Sequence, residues 1–289
     1  MILYHSALSL QDEWASLLPE QVRVLYSFCG YKHKPFPKHV GGVLLDSGAF
    51  SVRNSGKKVT LEVYIKFLKD HASAFDAYSN LDVIGNPRAT AINQGMMENE
   101  GLHPMAVFHA GSDPAWLVRI LKKQRYIAIG GMVGKRRDQL IPMLDHLFGT
   151  YLCSPDTGHA RVKVHGFGVT DFVIMARYPW HSVDSTTAAR AGRCGVILSK
   201  WGQLRVSTII KTETSATIAT PELQKELMRW WARFLPKQLR FTWEELSGGT
   251  PECGQKRILV NACYIETLVK NTTPTFFPSH SESDGLFDL

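Results

Sequence analysis

Short apolar runs that alternate with helical patterns constrain the fold of this 289-residue chain more than any other feature. Runs of this length, bounded by polar residues, are typical of buried β-strands. Repeated strand, loop and helix units favour right-handed βαβ connections and a parallel sheet, which is either closed into a barrel or open and doubly wound. The predicted strands cover residues 22–28, 43–45, 77–81, 105–108, 126–129, 162–164 and 196–198.

The helices between these strands are predicted from their caps and their apolar faces. Thr60 precedes a helix with one apolar face, and Asp113 is an N-cap followed by Pro114 at the first helical position. A third helix is expected over residues 137–148, where leucines recur at helical spacing. Further helix starts are predicted after Thr170, after Thr220 and at the capping box formed by Thr242 and Glu245.

The choice between the two sheet architectures depends on a missing motif. No G-x-G-x-x-G opens a helix after a strand, and Gly166-Phe167-Gly168 is only a fragment of that dinucleotide-binding pattern. By its length the chain could form two ordinary domains or a single barrel, which commonly needs about 250 residues. We therefore predict an α/β fold, an irregular (β/α)8 TIM-like barrel over residues 1–215. A helical extension at 216–270 is expected to pack on or complete the barrel, and residues 271–289, rich in Ser, Thr and Pro, to form a flexible tail.

Charge and cysteine usage narrow the function classes. A net charge of +7 tilts the odds towards a polyanionic partner without deciding for one. The five cysteines form no CxxC or CxC pair and are odd in number, which argues against a disulfide framework and a thiolate metal site. Neither a signal peptide nor an apolar run long enough for a bilayer is present. We expect a soluble cytoplasmic protein with no membrane association.

Polar and glycine residues close the predicted strands, and they are the candidates for chemistry. In a barrel the carboxyl ends of the strands converge on one mouth, so these residues would share a pocket. A structural alternative exists for each, since aspartates and glycines also build tight turns and a lone histidine is more often structural than catalytic. The set comprises Asp46, Asp82, His109, the pair Gly130-Gly131, His165 with Gly166, and Asp184.

Three segments resemble motifs of the tRNA-guanine transglycosylase superfamily. Asp46-Ser47-Gly48-Ala49-Phe50 is similar to the family's DSGGFQ motif, and residues 129–134 are similar to its GGLAVGE segment. The stretch from Val183 to Arg193 resembles FDCVLPTR-x-x-RNG. The order along the chain also agrees. The similarity covers about residues 40–200 and is closest to the short phage and bacterial paralogues that insert 7-deazaguanines into DNA.

This resemblance implies a mechanism and a division of roles between two carboxylates. Asp184 would be the nucleophile that attacks C1′ of a deoxyguanosine, and Asp46 the general acid and base for the departing and entering bases. Asp82 would read the guanine-like edge of the base. His109 stands where the family has a glutamine and would donate to O6, while Phe50 departs from the family's aromatic-glutamine ending. The base pocket would also include Ser47, Gly130, Gly131 and Met132.

The target nucleotide would have to leave the helix, and cationic side chains near the pocket would hold its phosphates. The candidates are Arg190 and Arg193 beyond the predicted nucleophile, and Lys135, Arg136 and Arg137 after the glycine pair. Enzymes of the tRNA type carry a CxCxxC and histidine zinc site, and this sequence has no such spacing. We therefore predict no metal and no cofactor, and DNA rather than tRNA as the polymer.

Alternatives remain open at this point. The first is the same exchange on tRNA, and the second is a catalytically silent barrel that binds nucleic acid. The third is a small-molecule enzyme that binds phosphate at Gly166-Phe167-Gly168. The identity of the inserted 7-deazaguanine, which we expect to be preQ0-like, and the choice among a monomer, a homodimer and a complex with partner proteins are not determined by the sequence.

Overall fold

An eight-stranded parallel sheet forms the centre of the protein in the computed structural model, which describes residues 1–6, 8, 14, 16–31, 41–51, 59–207 and 215–276. Every pairing between neighbouring strands of this sheet is parallel, and the strand order is β4-β3-β2-β1-β8-β7-β6-β5. The strands are β1 (Ile2–Ser6), β2 (Arg23–Ser27), β3 (Gly42–Asp46), β4 (Ala77–Tyr78), β5 (Ala106–His109), β6 (Tyr126–Gly130), β7 (Lys163–Gly166) and β8 (Ser182–Ser185).

The sheet curls until its two edge strands, β4 and β5, meet at a single bridge. Ser79 bridges Met105 in parallel fashion. The Met105 N–H donates to the Tyr78 carbonyl at 2.8 Å, and the Asn80 N–H donates to the Met105 carbonyl at 3.0 Å. The fold is thus a mixed α/β fold with a curled parallel sheet. A continuous ladder between β4 and β5 is not present in the described residues, because β4 offers only a two-residue strand.

Helices follow most of the strands, and the predicted caps are confirmed. The Thr60 side chain accepts a hydrogen bond from the Val63 N–H, and the Asp113 side chain accepts one from the Ala115 N–H. The helices are α1 (Phe28–Tyr31), α2 (Leu61–His71), α3 (Pro87–Asn99), α4 (Pro114–Lys123), α5 (Arg137–Leu147), α6 (Phe172–Arg177) and α7 (Thr187–Arg193). Three of the helices named here, α1, α3 and α7, were not predicted.

Side chains alternate between two apolar cores, one on each face of the sheet. The inner core contains Tyr4, Leu44, Met105, Val107 and Ala128. The outer core lies between the sheet and the helices and includes Leu3, Val24, Leu45, Ile127 and Val183. Because the alternation has a period of two, the strand ends in register with the inner core direct their side chains into the same interior. These side chains include Ser6, Asp46, His109 and Asp184.

A second, three-stranded sheet follows α7 and corrects one prediction. Residues 196–198 were expected to belong to the parallel sheet, but β9 (Val196–Ser199) pairs antiparallel with β10 (Gly202–Arg205), which pairs with β11 (Thr217–Ile218). An apolar run indicates burial and does not specify the strand partner, so the sequence pattern alone could not assign this strand to its sheet.

Three helices complete the described C-terminal region. They are α8 (Pro221–Phe234), α9 (Trp243–Ser247) and α10 (Pro251–Lys270). The predicted starts of α8 and α9 are confirmed, since the side chains of Thr220 and Thr242 accept hydrogen bonds from the N–H groups of Leu223 and Glu245. Helix α10 contacts α7, β9 and β1, and its buried Arg257 donates to the carbonyls of Gly192, Leu246 and Gly248. These contacts attach the extension to the outer side of the main sheet.

Asn261 of α10 joins the extension to β9, and its removal should destabilise the protein. The fully buried side chain accepts from the Leu198 N–H at 2.8 Å and donates to the Val196 carbonyl at 3.1 Å. Asn261→Ala leaves both backbone groups without their partner, which should cost about 2 kcal/mol of unfolding free energy in chemical denaturation. Asn99→Ala, at an exposed helix end, is the matched control and should change stability by less than about 0.5 kcal/mol. Equal effects of the two substitutions would contradict this role for Asn261.

The first residues of the predicted flexible tail contain one point of attachment. The Phe276 N–H donates to the Arg177 carbonyl at 2.7 Å, and its ring lies 5.3 Å from that of Tyr178. Phe276 is therefore buried against the body of the protein, while most of residues 271–275 are exposed. Residues 277–289 lie outside the described residues. Within the described part of the chain, no helix is long and apolar enough to span a membrane.

Candidate active site

The carboxyl ends of the parallel strands bring together most of the candidates that were chosen from the sequence. Asp46 ends β3, His109 ends β5, Gly130 ends β6 and Asp184 lies in β8, and Asp82 follows β4. Parallel strands display their carboxyl ends at one edge, so side chains from distant parts of the chain meet there. Hydrogen bonds form two groups there, one around Asp184 and the other around Asp82, and Asp46 is close enough to both carboxylates to be affected by their charges.

Asp184 is buried, and both of its carboxylate oxygens are held. Its side-chain Oδ2 accepts from the Ser6 hydroxyl at 2.6 Å, and Oδ1 accepts from the Gly168 N–H at 2.7 Å. The residue is 6% exposed. Gly168 has φ +67°, and a Cβ at this position would lie 2.6 Å from Cγ2 of Val133. The close approach therefore requires glycine, and the carboxylate is fixed from β1 and from the loop after β7.

A chain of buried polar groups lies beside Asp184. Nε2 of His165 lies 3.5 Å from Oδ1 of Asp184 and makes no hydrogen bond, although His165 is fully buried. Nδ1 of the same ring lies 2.8 Å from the Ser182 hydroxyl, which lies 2.7 Å from the Tyr126 hydroxyl. Burial raises the pKa of Tyr126 above its ordinary value, so this phenol keeps its proton at neutral pH.

Asp46 differs from Asp184 in its surroundings. Burial raises the pKa of Asp46 to about 8, and the negative charges of Asp82 and Asp184 add to the effect. Oδ2 of Asp46 accepts from the Gly48 N–H at 3.1 Å, which is the Asx turn that the sequence allowed. Asp46 therefore holds a proton at neutral pH while it remains partly open to the mouth of the sheet. A carboxyl in this state can serve as a proton donor.

Asp82 is the centre of the second group. Its Oδ1 accepts from the Ser47 hydroxyl at 3.0 Å, and its Oδ2 lies 2.8 Å from Nε2 of His109. The two side chains of this acid–histidine pair are only 8% and 10% exposed. The Ser47 N–H in turn donates to the Ser79 hydroxyl at 2.9 Å. Asp82 is thus preorganised, and a ligand that binds its carboxylate must share it with His109 and Ser47.

The remaining predicted pocket residues occupy different environments. Gly130 lies against His109, since a Cβ there would be 3.0 Å from Cδ2 of that ring, and Gly131 has φ +77°. Met132 is 3% exposed and packs in the outer core, so its contact with a ligand would come from its backbone. Phe50 is 52% exposed and is accessible beyond the end of β3.

The predicted phosphate ligands are all exposed, and at least two of them have acidic partners. Arg136 pairs with Asp138, and Arg137 makes a bidentate pair with Asp171 at 2.8 and 3.0 Å. Lys135 is exposed and makes no ion pair within the described residues. Arg190 and Arg193 lie in the last turn of α7, whose first turn follows Asp184 closely in the chain.

Four residues around Asp184 were not selected from the sequence as site residues: Ser6, Tyr126, Gly168 and Ser182. Ser6 had a usable signal, because it closes the apolar start of the chain as Asp46 closes β3. Gly168 belonged to a segment that was considered for phosphate, whereas its N–H is used by Asp184. The described residues contain no group of three or more His, Cys, Asp or Glu side chains that could hold a metal ion.

The site therefore combines a fixed buried carboxylate, a protonated carboxyl and an acid–histidine pair at one edge of a parallel sheet. This arrangement suits chemistry at a centre that develops positive charge, such as an anomeric carbon. Comparisons with known proteins do not assign it to a family: no protein-family model matches the chain, and a search of curated proteins found no match.

Proposed function

We propose that this protein is a transglycosylase that exchanges guanine in DNA for a 7-deazaguanine base through a covalent aspartyl-deoxyribose intermediate. The observation that carries the proposal is the contrast between two neighbouring carboxyl groups. Asp184 accepts hydrogen bonds on both oxygens, as an ionised nucleophile requires, and Asp46 has a pKa of about 8. Environments that separate two carboxyl groups in this way are typical of acid and nucleophile pairs.

The first half-reaction forms the covalent intermediate. An Asp184 oxygen attacks C1′, the bond from C1′ to the guanine nitrogen breaks, and Asp46 transfers its proton to the departing base. Asp184 then holds the sugar as an ester, and Asp46 is ionised. Two carboxyl groups with different roles are needed, because one must give up an electron pair while the other gives up a proton.

The second half-reaction restores both groups. The incoming base attacks C1′ with its ring nitrogen, the ester bond to Asp184 breaks, and Asp46 accepts the proton that this nitrogen loses. The exchange is balanced, since the proton given to guanine is replaced by the proton of the entering base. Water must be kept from C1′, and the burial of Asp184 supports such exclusion.

The base would be read by the group around Asp82. A carboxylate accepts two N–H donors from the amino and ring N–H edge of a guanine-like base, and Ser47 and His109 hold Asp82 for this contact. Gly130 and Gly131 would allow a flat ring to approach the backbone, with Met132 contributing backbone groups and Phe50 a stacking surface. Nε2 of His109 is directed at Asp82, so a contact with O6 would require this histidine to turn or to use Nδ1.

We further propose that the curled sheet with its Ser79–Met105 bridge is an irregular (β/α)8 barrel. We also propose that the protein acts in the cytoplasm. The polymer would approach the mouth with its target nucleotide turned out of the helix. Lys135, Arg190 and Arg193 are exposed candidates for phosphate contacts, and Arg136 and Arg137 would have to exchange their acidic partners for phosphate. DNA is favoured over tRNA because the sequence lacks the zinc-ligand spacing of the tRNA enzymes.

The test is incubation of the full chain with labelled guanine or preQ0 and with duplex DNA, single-stranded DNA or tRNA. Mass spectrometry of the nucleosides then identifies the product. We expect incorporation into DNA and none into tRNA. Incorporation into tRNA alone would overturn the DNA assignment. Binding of either polymer with no incorporation and no covalent adduct would support the silent binding barrel instead.

Asp82→Asn should weaken recognition of the base and also change the pKa of the proton donor. We expect the KM for the incoming base to rise about 30-fold, because an amide presents only one acceptor oxygen and leaves one N–H of the base unpaired. The pKa of Asp46 should also fall, since the charge of Asp82 helps to raise it. Steady-state kinetics across pH values measure both effects, and Asp70→Asn on the exposed end of α2 is the control. An unchanged KM would exclude Asp82 from base binding.

A further inference from the structure

His165 is a buried polar side chain beside Asp184 that the proposed mechanism leaves unused. It is fully buried in the interior of the sheet, yet its Nε2 has no hydrogen-bond partner within the described residues. Buried polar atoms without partners are rare because they lose their hydration without compensation. Nε2 of this ring lies 3.5 Å from Oδ1 of Asp184, which is slightly beyond hydrogen-bond distance. A small movement of either side chain would satisfy both atoms.

The neighbouring hydroxyls determine which nitrogen of His165 carries the proton. When the Tyr126 hydroxyl donates to Ser182, the Ser182 hydroxyl donates to Nδ1, and Nε2–H then faces the Asp184 carboxylate. The opposite direction would place an imidazole lone pair against that carboxylate. The first arrangement is favoured because it uses every hydroxyl proton and replaces a repulsion between lone pairs by an attraction.

We propose that His165 is a positioning residue for Asp184, donating its Nε2–H to Oδ1 while Tyr126 and Ser182 fix its tautomer. This inference rests on the proposed base exchange. Oδ2 has Ser6 as its donor, whereas Oδ1 has Gly168 and, after a small approach, His165. Attack on C1′ through Oδ2 makes Oδ1 the ester carbonyl. Negative charge returns to Asp184 when the entering base breaks the ester, and the two donors on Oδ1 stabilise that charge.

His165 should therefore matter more for the breakdown of the covalent intermediate than for its formation. His165→Met fills a similar volume without a donor, and it should slow the chase of the adduct by a 7-deazaguanine about 10- to 100-fold. The adduct should accumulate as a result. His165→Gln offers an amide N–H near the position of Nε2 and should restore most of the rate. A role limited to packing would give no such accumulation and no such rescue.

The experiment compares wild type with His165→Met, His165→Gln and the control His103→Gln. His103 is exposed in the loop before β5, at the opposite end of the sheet from Asp184, and its substitution should leave both steps unchanged. Rapid quenching with duplex DNA in the absence of an incoming base measures adduct formation. Addition of preQ0 then measures the chase. Equal slowing of both steps in His165→Met, or no recovery in His165→Gln, would overturn the inference.

The experiment also distinguishes a failure of the proposed function from a failure of the His165→Met variant to fold. If wild type forms no adduct and exchanges no base, the proposed function fails, and the role of His165 in it fails too. If His165→Met does not fold, nitrogen NMR of the imidazole in wild type decides. We expect a proton on Nε2, and a proton on Nδ1 with an unprotonated Nε2 would overturn the inference.

Discussion

Asp184→Asn is expected to abolish the covalent adduct with DNA and to lower base exchange by about 10⁴-fold or more. An amide oxygen is a poor nucleophile, and loss of a nucleophile commonly costs this much even when binding is intact. The side chain should stay in place, because the amide oxygen can accept one of the two hydrogen bonds now donated by Ser6 and Gly168. Denaturing gel electrophoresis of labelled DNA measures the adduct, and nucleoside mass spectrometry measures exchange.

The control for this substitution is Asp70→Asn, which makes the same chemical change on an exposed helix end. It should leave adduct formation and exchange at the wild-type level. Binding of DNA by Asp184→Asn should fall less than threefold, since phosphate contacts supply most of the affinity. Exchange at a normal rate by Asp184→Asn would rule out Asp184 as the nucleophile and would favour a site elsewhere in the chain.

The sequence predicted the position of the candidate site better than its internal contacts. Asp46 and Asp184 were identified because a strand end in a parallel sheet has a fixed direction, which the apolar pattern reveals. The partners of these residues depend on contacts between distant segments. Ser6 donates to Asp184 across 178 positions of sequence, and no local pattern encodes that pairing. The pairing of Arg137 with Asp171 was missed for the same reason, because these residues are distant in sequence. Asp138, the partner of Arg136, lies only two residues away, and the sequence analysis overlooked it.

Buried polar residues help to explain why β1 was not predicted and why α10 was covered only by the general prediction of a helical extension. Strand β1 contains His5, which is fully buried and lies 3.2 Å from Glu266 of α10. Helix α10 also buries Arg257 and Asn261, so its polar residues do not lie only on a solvent-facing side. Patterns of apolar residues identify elements whose buried faces are apolar. Here the extension and the sheet are joined by polar contacts. The buried polar residues that make these contacts interrupt the apolar pattern of both elements.

Asp46→Asn should lower exchange by about 10²- to 10⁴-fold while leaving the fold intact, because general acid–base catalysis usually contributes this much. The dependence of the wild-type rate on pH should also show that Asp46 acts as the acid. Proton donation to guanine needs the protonated form of Asp46, whose pKa is about 8. The rate of adduct formation should therefore be constant below pH 7 and fall about tenfold per unit well above pH 8. Rapid-quench measurements from pH 6 to 10 test this, and a flat profile over that range would exclude Asp46 as the acid.

The same substitution should stabilise the protein in alkaline solution, which opposes its effect on activity. The pKa of Asp46 is about 8 in the folded protein against an ordinary value of 3.8, so between these values the folded state holds a proton that the unfolded state has lost. Wild-type stability therefore falls as pH rises from about 4 to 8.

Asparagine carries no charge at this position, so Asp46→Asn removes this loss of stability. We expect Asp46→Asn to gain ~2–4 kcal/mol above pH 8, allowing for partial exposure of the carboxyl, and to match wild type near pH 4. Chemical denaturation at both pH values measures the difference. A gain in stability of equal size at both pH values would mean that repacking, and not the charge of Asp46, is responsible. A gain confined to high pH would mean that the fold destabilises the charged form of Asp46, and this raised pKa is what allows Asp46 to deliver a proton at neutral pH.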